Sequence, residues 1–426
     1  MQYREQIRAL LDSREAFVFY THIPFCAQMC FFCLCHFRIT HDYGRIERYM
    51  KSMHKEIGMF SAMIEEKPNI REVHFGGGSP TYLREREFEN LVSDLARFID
   101  FDKLDEFAME IDPRAIGRDR LRFYADHGVS RISFGVQDFD RRVGEAINRV
   151  QPFELLENLL IPQIRSRFRS VNFDMLVGLP NQTLLSLNHT TNQILTLMPD
   201  RVSLAFVHFN PKQHKHQYVM AKHELPDYTA RKEMHEMASA MLVSAGYIRT
   251  GFEHFALPDD DCAKAVMTGH VQYNSLGATP GRCDWLLGVG VSSYGRVGKR
   301  CYNQHCYDHA EYERRIEGGE FPVMRGYVLD DDDLERRVII QDLRSKFFAA
   351  IDWKRFISEK IILDEMATDG MVVVVGDGVR ITELGKNFSN VVCRVFDRHV
   401  RDKETDGDAS RWPEQFWKGE RVFIGA

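Results

Sequence analysis

The chain has 426 residues, 44% of them apolar and 28% charged, and a formal net charge of −6. That acidic balance excludes a broad nucleic-acid-binding face, no apolar run reaches membrane-spanning length, and the polar start Met-Gln-Tyr-Arg-Glu-Gln-Ile-Arg lacks the core of a signal peptide. Nine cysteines without a secretory signal read as cytoplasmic chemistry rather than a disulfide framework, and the length suffices for one large domain plus a smaller one.

In chain order, strand patterns alternate with helical ones. An apolar run at 17–23 precedes a helix over 46–64, 72–75 precedes 85–99, and 106–111 precedes 118–127. The run 131–134 precedes a helix starting after Phe139, 171–176 precedes 184–197, and 201–206 closes the series. Six strand–helix steps imply a parallel sheet with helical crossovers. Beyond Pro226 a helix over 228–243 leads into 251–305, whose Gly, Asn and Pro-flanked turns read as loops covering a barrel mouth. Further on, Val338, Ile339, Leu343 and Phe347 share a helical face. The runs 372–375 and 379–381 flank Gly376-Asp377-Gly378 as a hairpin. Leu384, Phe388, Val392, Val395 and His399 follow at helical spacing. Together these suggest a small winged-helix-like domain that serves as a substrate lid. The expected division is 1–225 for the core, 226–325 for the covering extension, 326–405 for the winged-helix-like domain and 406–426 for a charged tail. The acidic runs 259–261 and 330–333 read as solvated loop and helix-start residues.

The residues that decide the chemistry follow the first strand. Cys26, Cys30 and Cys33 have the spacing C-x3-C-x2-C, and Cys35 stands two residues on. Soft thiolates select zinc, copper(I) or iron–sulfur clusters. Structural zinc usually draws ligand pairs from separated segments, and no second C-x2-C exists. Cys262, Cys283, Cys301, Cys306 and Cys393 are scattered. Ferredoxin clusters need four thiolates at other spacings. Three thiolates on one loop would leave one iron of a four-iron cluster open to a small molecule; a zinc knuckle is the competing reading. The remaining polar candidates fall at strand ends, where barrel enzymes build their sites. Residues 76–79 follow the second strand, Glu110 and Asp112 end the third, Gln137 ends the fourth, and Asp174 lies on the fifth. His22 reads as a hydrogen-bonded core histidine, His214 and His216 as a solvated loop rather than a metal pair, and Met50, Met53, Met59 and Met63 as core packing.

The cysteine loop resembles that of the radical S-adenosylmethionine superfamily. A longer ordered set resembles the oxygen-independent coproporphyrinogen III oxidase family: Tyr20-x-His-Ile-Pro-Phe-Cys26, Cys35, Gly-Gly-Gly-Ser-Pro-Thr at 76–81, Glu110-Ile-Asp-Pro-Arg114, Gly135-Val-Gln-Asp-Phe139, Asn148-Arg149, Asp174 with Gly178-Leu-Pro180, Leu287-Gly-Val-Gly-Val-Ser292 and Arg325-Gly. The resemblance implies an α/β fold, a (β/α)6 partial TIM barrel with a small C-terminal, mainly helical, winged-helix-like domain. It implies a [4Fe-4S] cluster on Cys26, Cys30 and Cys33 whose open iron chelates S-adenosylmethionine, which is cleaved reductively to a 5′-deoxyadenosyl radical. By the same resemblance Phe32 lies near adenine, and Gly76, Gly77, Gly78 and Ser79 offer a backbone edge to the methionine amino group. Gln137, Arg149 and Asp174 position the cofactor. Tyr20 and Glu110 face a second S-adenosylmethionine or substrate, and Cys35 is a thiol that tunes the cluster or touches substrate. The implied partners are a small-molecule substrate and an electron donor such as flavodoxin or ferredoxin. No nucleic acid or membrane is expected, and the protein is expected to be a monomer.

The pattern departs from that family in three places. Sixteen residues precede Phe17, where the family has a longer arm; Asn274-Ser-Leu-Gly-Ala278 stands for Asn-Phe-Gln-Gly-Tyr; and Tyr294 stands for an isoleucine. The scaffold looks kept and the substrate cavity rebuilt. This favours the related class C radical methyltransferases and cyclopropanases, which use a second S-adenosylmethionine as carbon donor. Oxidative decarboxylation of porphyrinogen propionates is the alternative, and a non-catalytic haem chaperone a third.

Overall fold

A computed structural model describes residues 3–274 and 276–399. The chain enters through α1 (Tyr3–Ser13) and β1 (Phe17–Ile23), and α2 (Tyr43–Ser61), β2 (Ile70–Gly77), α3 (Glu85–Leu95), β3 (Glu106–Ile111), α4 (Arg118–Asp126), β4 (Arg131–Gln137) and α5 (Arg141–Ala146) follow. β5 (Ser170–Val177), α6 (Leu184–Leu197) and β6 (Arg201–Phe206) complete the six expected strand–helix steps. Every residue of β1 is buried, as a parallel strand covered on both faces must be. In α2, Ile46, Tyr49, Met50, Met53, Ile57 and Phe60 make the inward stripe, so Met50 and Met53 are core residues as expected. Phe75, Phe88 and Phe107 meet edge-on or stacked beneath the sheet, each fully buried ring contributing roughly 2–3 kcal/mol.

The chain divides into two compact units. The first takes the described residues through Asp174 together with Arg282–Leu329. Its later elements are β11 (Trp285–Val289), β12 (Tyr294–Val297), β13 (Cys301–His305), α9 (His309–Glu317) and β14 (Val323–Val328), numbered in chain order after those of the second unit. Its strands lie in the order β14-β13-β12-β11-β1-β2-β3-β4-β5. β11 runs parallel to β1, with Tyr20 opposite Gly288; β12, β13 and β14 extend the edge antiparallel.

The second unit, Met175–Gly281 and the described residues from Asp330, has β6-β8-β7 as neighbours. Here α7 is Tyr228–Ser244, β7 Ile248–Arg249, β8 His254–Ala256 and α8 Asp261–Met267, followed by the β9 (Gln272–Asn274) and β10 (Gly277–Thr279) hairpin. From Asp330 come α10 (Asp331–Lys346), β15 (Phe348–Ala350), α11 (Ile357–Thr368), β16 (Val372–Val375), β17 (Gly378–Ile381), α12 (Glu383–Lys386) and α13 (Ser389–Arg394). The expected hairpin is present, with Val375 opposite Gly378.

Four expectations are corrected. Residues 251–305 are not covering loops: they form β8 to β13 and α8, and β11 joins the sheet beside β1. Val338 is exposed, and Ile340 takes its place beside Ile339 and Leu343 in the C-terminal core. The last helical run breaks into α12 and α13, because the chain turns at Asn387–Phe388. Among the acids, Asp260 is buried against Arg201 at 2.8 Å and caps α8, while Asp330 and Asp333 form a capping box on α10. The tail after Arg401 lies outside the described residues. No described helix is long and apolar enough to cross a membrane.

Candidate active site

Side chains alternate along a strand, so the parallel register decides what meets on one face of the first unit. Tyr20 lies opposite His74, and His22 opposite Gly76; Glu110 lies opposite Ser133. These residues stand toward the C-terminal ends of β1 to β4, and Asn172 and Asp174 continue the row on β5.

Hydrogen bonds fix this face. The Tyr20 hydroxyl meets His22 Nδ1 at 2.9 Å, and His22 Nε2 meets the His36 carbonyl at 2.9 Å. Burial pulls the His22 pKa down to about 4, so its ring is neutral at neutral pH, and His22 is the hydrogen-bonded core histidine expected. Burial, and next Tyr294, push the Tyr20 phenol well above its ordinary range. Glu110 accepts from Gly77 N at 3.1 Å and lies 3.4 Å from His74 Nε2. Desolvation raises the Glu110 pKa, but His74, the Gly77 N–H and His22 outweigh it and keep the carboxyl below its usual value. Asp174 accepts from Ser133 Oγ at 2.9 Å and from Asn172 at 2.8 Å.

The glycines form a cradle. A Cβ on Gly76 would lie 2.7 Å from Glu110 Oε1, and one on Gly77 2.7 Å from the His22 ring. Gly77 also holds φ +115°, which side-chain-bearing residues rarely adopt. Ser79 is buried, and its hydroxyl bonds Thr81 at 2.8 Å.

The cysteine loop starts from Phe25-Cys26, which pairs with Arg38-Ile39. It is pinned to the C-terminal end of α5 by Phe31 N to Ile147 O at 3.0 Å and by Asn148 Nδ2 to Met29 O at 2.8 Å. Arg149 donates to the Gly135 carbonyl at 2.7 Å and reaches Cys30 Sγ at 3.5 Å. Arg114 reaches the same sulfur at 3.7 Å while held by Asp112 at 2.7 Å. Cys30 is buried, Cys26, Phe32 and Cys33 are half-buried, and Cys35 is exposed. Burial pushes the Cys26 thiol up to about 12; ligation by a metal centre would overcome that cost. Soft donors on one loop, with two guanidinium groups at the deepest sulfur, fit a polynuclear iron–sulfur centre. When bound, that cluster supplies the electron that cleaves S-adenosylmethionine.

The structure thus brings Tyr20, Gly76, Gly77, Glu110 and Asp174 onto one face. Gln137 is buried at the end of β4 with φ +64°, and its amide lies beside Arg149 over Gly135. Arg149 reaches both the cysteine loop, 3.5 Å from Cys30 Sγ, and the strand-end carboxylate of Asp112 at 3.6 Å. Residues not assigned from sequence are His74, Arg114, Ser133, Asn172 and Ser292; the first, third and fourth are two residues from assigned ones or lie across in register, so strand periodicity pointed to them. Tyr294 stacks on Tyr20, centroids 5.2 Å apart. His214 and His216 have rings 6.0 Å apart, and among the described residues no group of three ligands forms there.

A family model of the Radical SAM superfamily matches residues 20–194. The oxygen-independent coproporphyrinogen III oxidase of Pseudomonas aeruginosa is 34% identical over 412 residues, covering 93% of this chain and 89% of that protein. This chain belongs to the oxygen-independent coproporphyrinogen III oxidase family. The family protein of Escherichia coli is 32% identical over 394 residues, covering 90% of this chain and 86% of that protein. A solved structure of coproporphyrinogen III oxidase from Escherichia coli, described as a radical SAM enzyme, superposes with a TM-score of 0.87 at 30% identity over 94% of each chain. The protein is therefore a radical S-adenosylmethionine enzyme with the expected α/β fold, and its superfamily implies a [4Fe-4S] cluster and S-adenosylmethionine. Family likeness over nearly the whole chain favours the oxidase alternative and lends no support to the expected methyl or methylene transfer. Of the substitutions behind that expectation, Leu276 and Ala278 lie in the β9–β10 hairpin and Tyr294 starts β12, while Ser275 lies outside the described residues.

Proposed function

We propose that the protein is an oxygen-independent coproporphyrinogen III oxidase, converting propionate side chains to vinyl groups. The observation that carries this reading is the likeness to named oxidases across both compact units. In each step one hydrogen atom would pass from the propionate carbon β to the carboxyl group to the 5′-deoxyadenosyl radical, giving 5′-deoxyadenosine. The bond to the carboxylate breaks, carbon dioxide departs, the vinyl double bond forms, and the one electron left over passes to a one-electron acceptor. Each step uses one S-adenosylmethionine, with one electron from a flavodoxin- or ferredoxin-type donor. A second molecule is then a second oxidant, not a carbon donor. Cys26, Cys30 and Cys33 would hold the cluster, and Gly76 to Ser79, Gln137, Arg149 and Asp174 the cofactor. Tyr20, Glu110 and Cys35 would meet substrate or a second S-adenosylmethionine. The neutral Tyr20–His22 pair offers a hydroxyl without a charge.

The test is anaerobic incubation of the reconstituted, reduced protein with coproporphyrinogen III and methyl-deuterated S-adenosylmethionine. Carbon dioxide and a divinyl product without deuterium are expected. A product heavier by a deuterated one-carbon unit, with no carbon dioxide, contradicts the reading.

A further inference from the structure

The crossover between β6 and α7 is basic in an acidic protein. From Val207 to His223 the sequence carries Lys212, Lys215, Lys222 and four histidines, and no Asp or Glu. The three lysines and His223 are exposed and form no ion pair among the described residues. The segment is held in place. Buried Gln217 accepts from Asn210 N at 2.6 Å and donates to the His208 carbonyl at 2.8 Å, and the rings of His208, His214 and His216 follow at 6.3 and 6.0 Å.

Arg231, in the first turn of α7, stands at the far end of this segment. Its stem packs over Gly178, just past β5, where a Cβ would come within 2.9 Å of Nε. The guanidinium donates once, to Pro226 O at 3.1 Å, and has no ion pair among the described residues. Asp227, the nearest acid acting on it, caps Ala230 N at 2.8 Å. Burial draws the Arg231 pKa down, the mark of a cation without a counter-ion. Arg201, Arg114 and Arg336 are paired, with Asp260, Asp112 and Glu359; Arg249 shares the burial-lowered pKa of Arg231 but lies under the Phe255 ring, 5.3 Å from its centroid.

We propose that the β6–α7 crossover, with Arg231, is a polycarboxylate-binding surface that takes propionates of the substrate. This rests on the oxidative-decarboxylation reading. An arginine fork matches a carboxylate bidentately, and flexible lysines at strand ends steer a polyanion in a salt-dependent manner.

The probe is coproporphyrin III, the oxidised tetrapyrrole, with its binding to the reconstituted protein followed by fluorescence at low and high salt and competed with citrate. Arg231→Met should weaken binding about tenfold, with Arg231→Lys between it and the wild type. Combined Lys212→Gln, Lys215→Gln and Lys222→Gln should weaken binding several-fold and flatten its salt dependence. Substrate-free formation of 5′-deoxyadenosine should be unchanged in all variants, which shows that they are folded and loaded. Wild-type binding in both the Arg231→Met and triple-lysine variants overturns the proposal, as does a wild type that binds neither coproporphyrin III nor citrate. If the wild type binds coproporphyrin III in the expected salt- and Arg231-dependent way but releases no carbon dioxide from coproporphyrinogen III, the surface stands and the decarboxylation reading falls.

Discussion

Buried Glu56 shows how one side chain supports the candidate site. Its Oε2 accepts from Gly290 N at 2.8 Å and from Tyr312 Oη at 2.7 Å, and Tyr49, one helical face along, takes Val291 N at 3.1 Å. Together they hold the turn that carries Ser292, 3.5 Å from His22, and Tyr294 on Tyr20. Burial raises the Glu56 pKa from 4.5 to about 7. The folded state therefore binds this proton more tightly than the unfolded state. Its contribution falls as pH rises from 4.5 to 7, by roughly 3 kcal/mol in full. His305 lies 3.3 Å from Glu56 Oε1, and burial lowers its pKa to about 4, so its folded-state ring stays neutral across this pH window. Glu56→Gln, which keeps an acceptor and removes the proton, should gain stability over the wild type between pH 5 and pH 8 by about 2–3 kcal/mol. Urea midpoints at the two pH values check this, and a pH-independent difference contradicts it.

At the scale of elements, legibility followed locality. The six strands of the βα steps were readable because each is a short apolar run bounded by helices. The bounds of β1, β3, α6 and β6 are as the pattern gives them. β11 was hidden because its pairing with β1 joins segments far apart in sequence, and because Gly288 and Gly290 interrupt its apolar pattern. Gly288 leaves no side chain between Tyr20 and the β12 backbone, where a Cβ would lie 2.3 Å from the Tyr294 carbonyl. Of the candidate site, the cysteines and the glycine cradle were legible from spacing. The Cys30 contacts of Arg114 and Arg149 were not, since they depend on how the loop is pinned to the C-terminal end of α5. The cradle also yields a prediction. Gly77→Ala places a Cβ against the His22 ring at an unfavourable φ, so it should cost about 1–3 kcal/mol and raise the KM for S-adenosylmethionine. Thermal unfolding and 5′-deoxyadenosine assays check this, and wild-type values in both contradict it.

For the whole molecule, the family likeness spans both compact units, whereas the Radical SAM model covers residues 20–194 alone. The part of the chain shared with the whole superfamily therefore lies in the first half, and the likeness to the oxidases continues through the second. The account depends on Cys26, Cys30 and Cys33 holding a cluster with one iron open, and on Cys35 not being a ligand. The most direct measurement is iron, sulfide and zinc content alongside 5′-deoxyadenosine formation, for the anaerobically reconstituted wild type and the four single Cys→Ala variants. The expected result is a four-iron cluster and 5′-deoxyadenosine in the wild type and in Cys35→Ala, with loss of both in the other three. Cluster loss in Cys35→Ala, or tightly bound zinc without 5′-deoxyadenosine in the wild type, would contradict it.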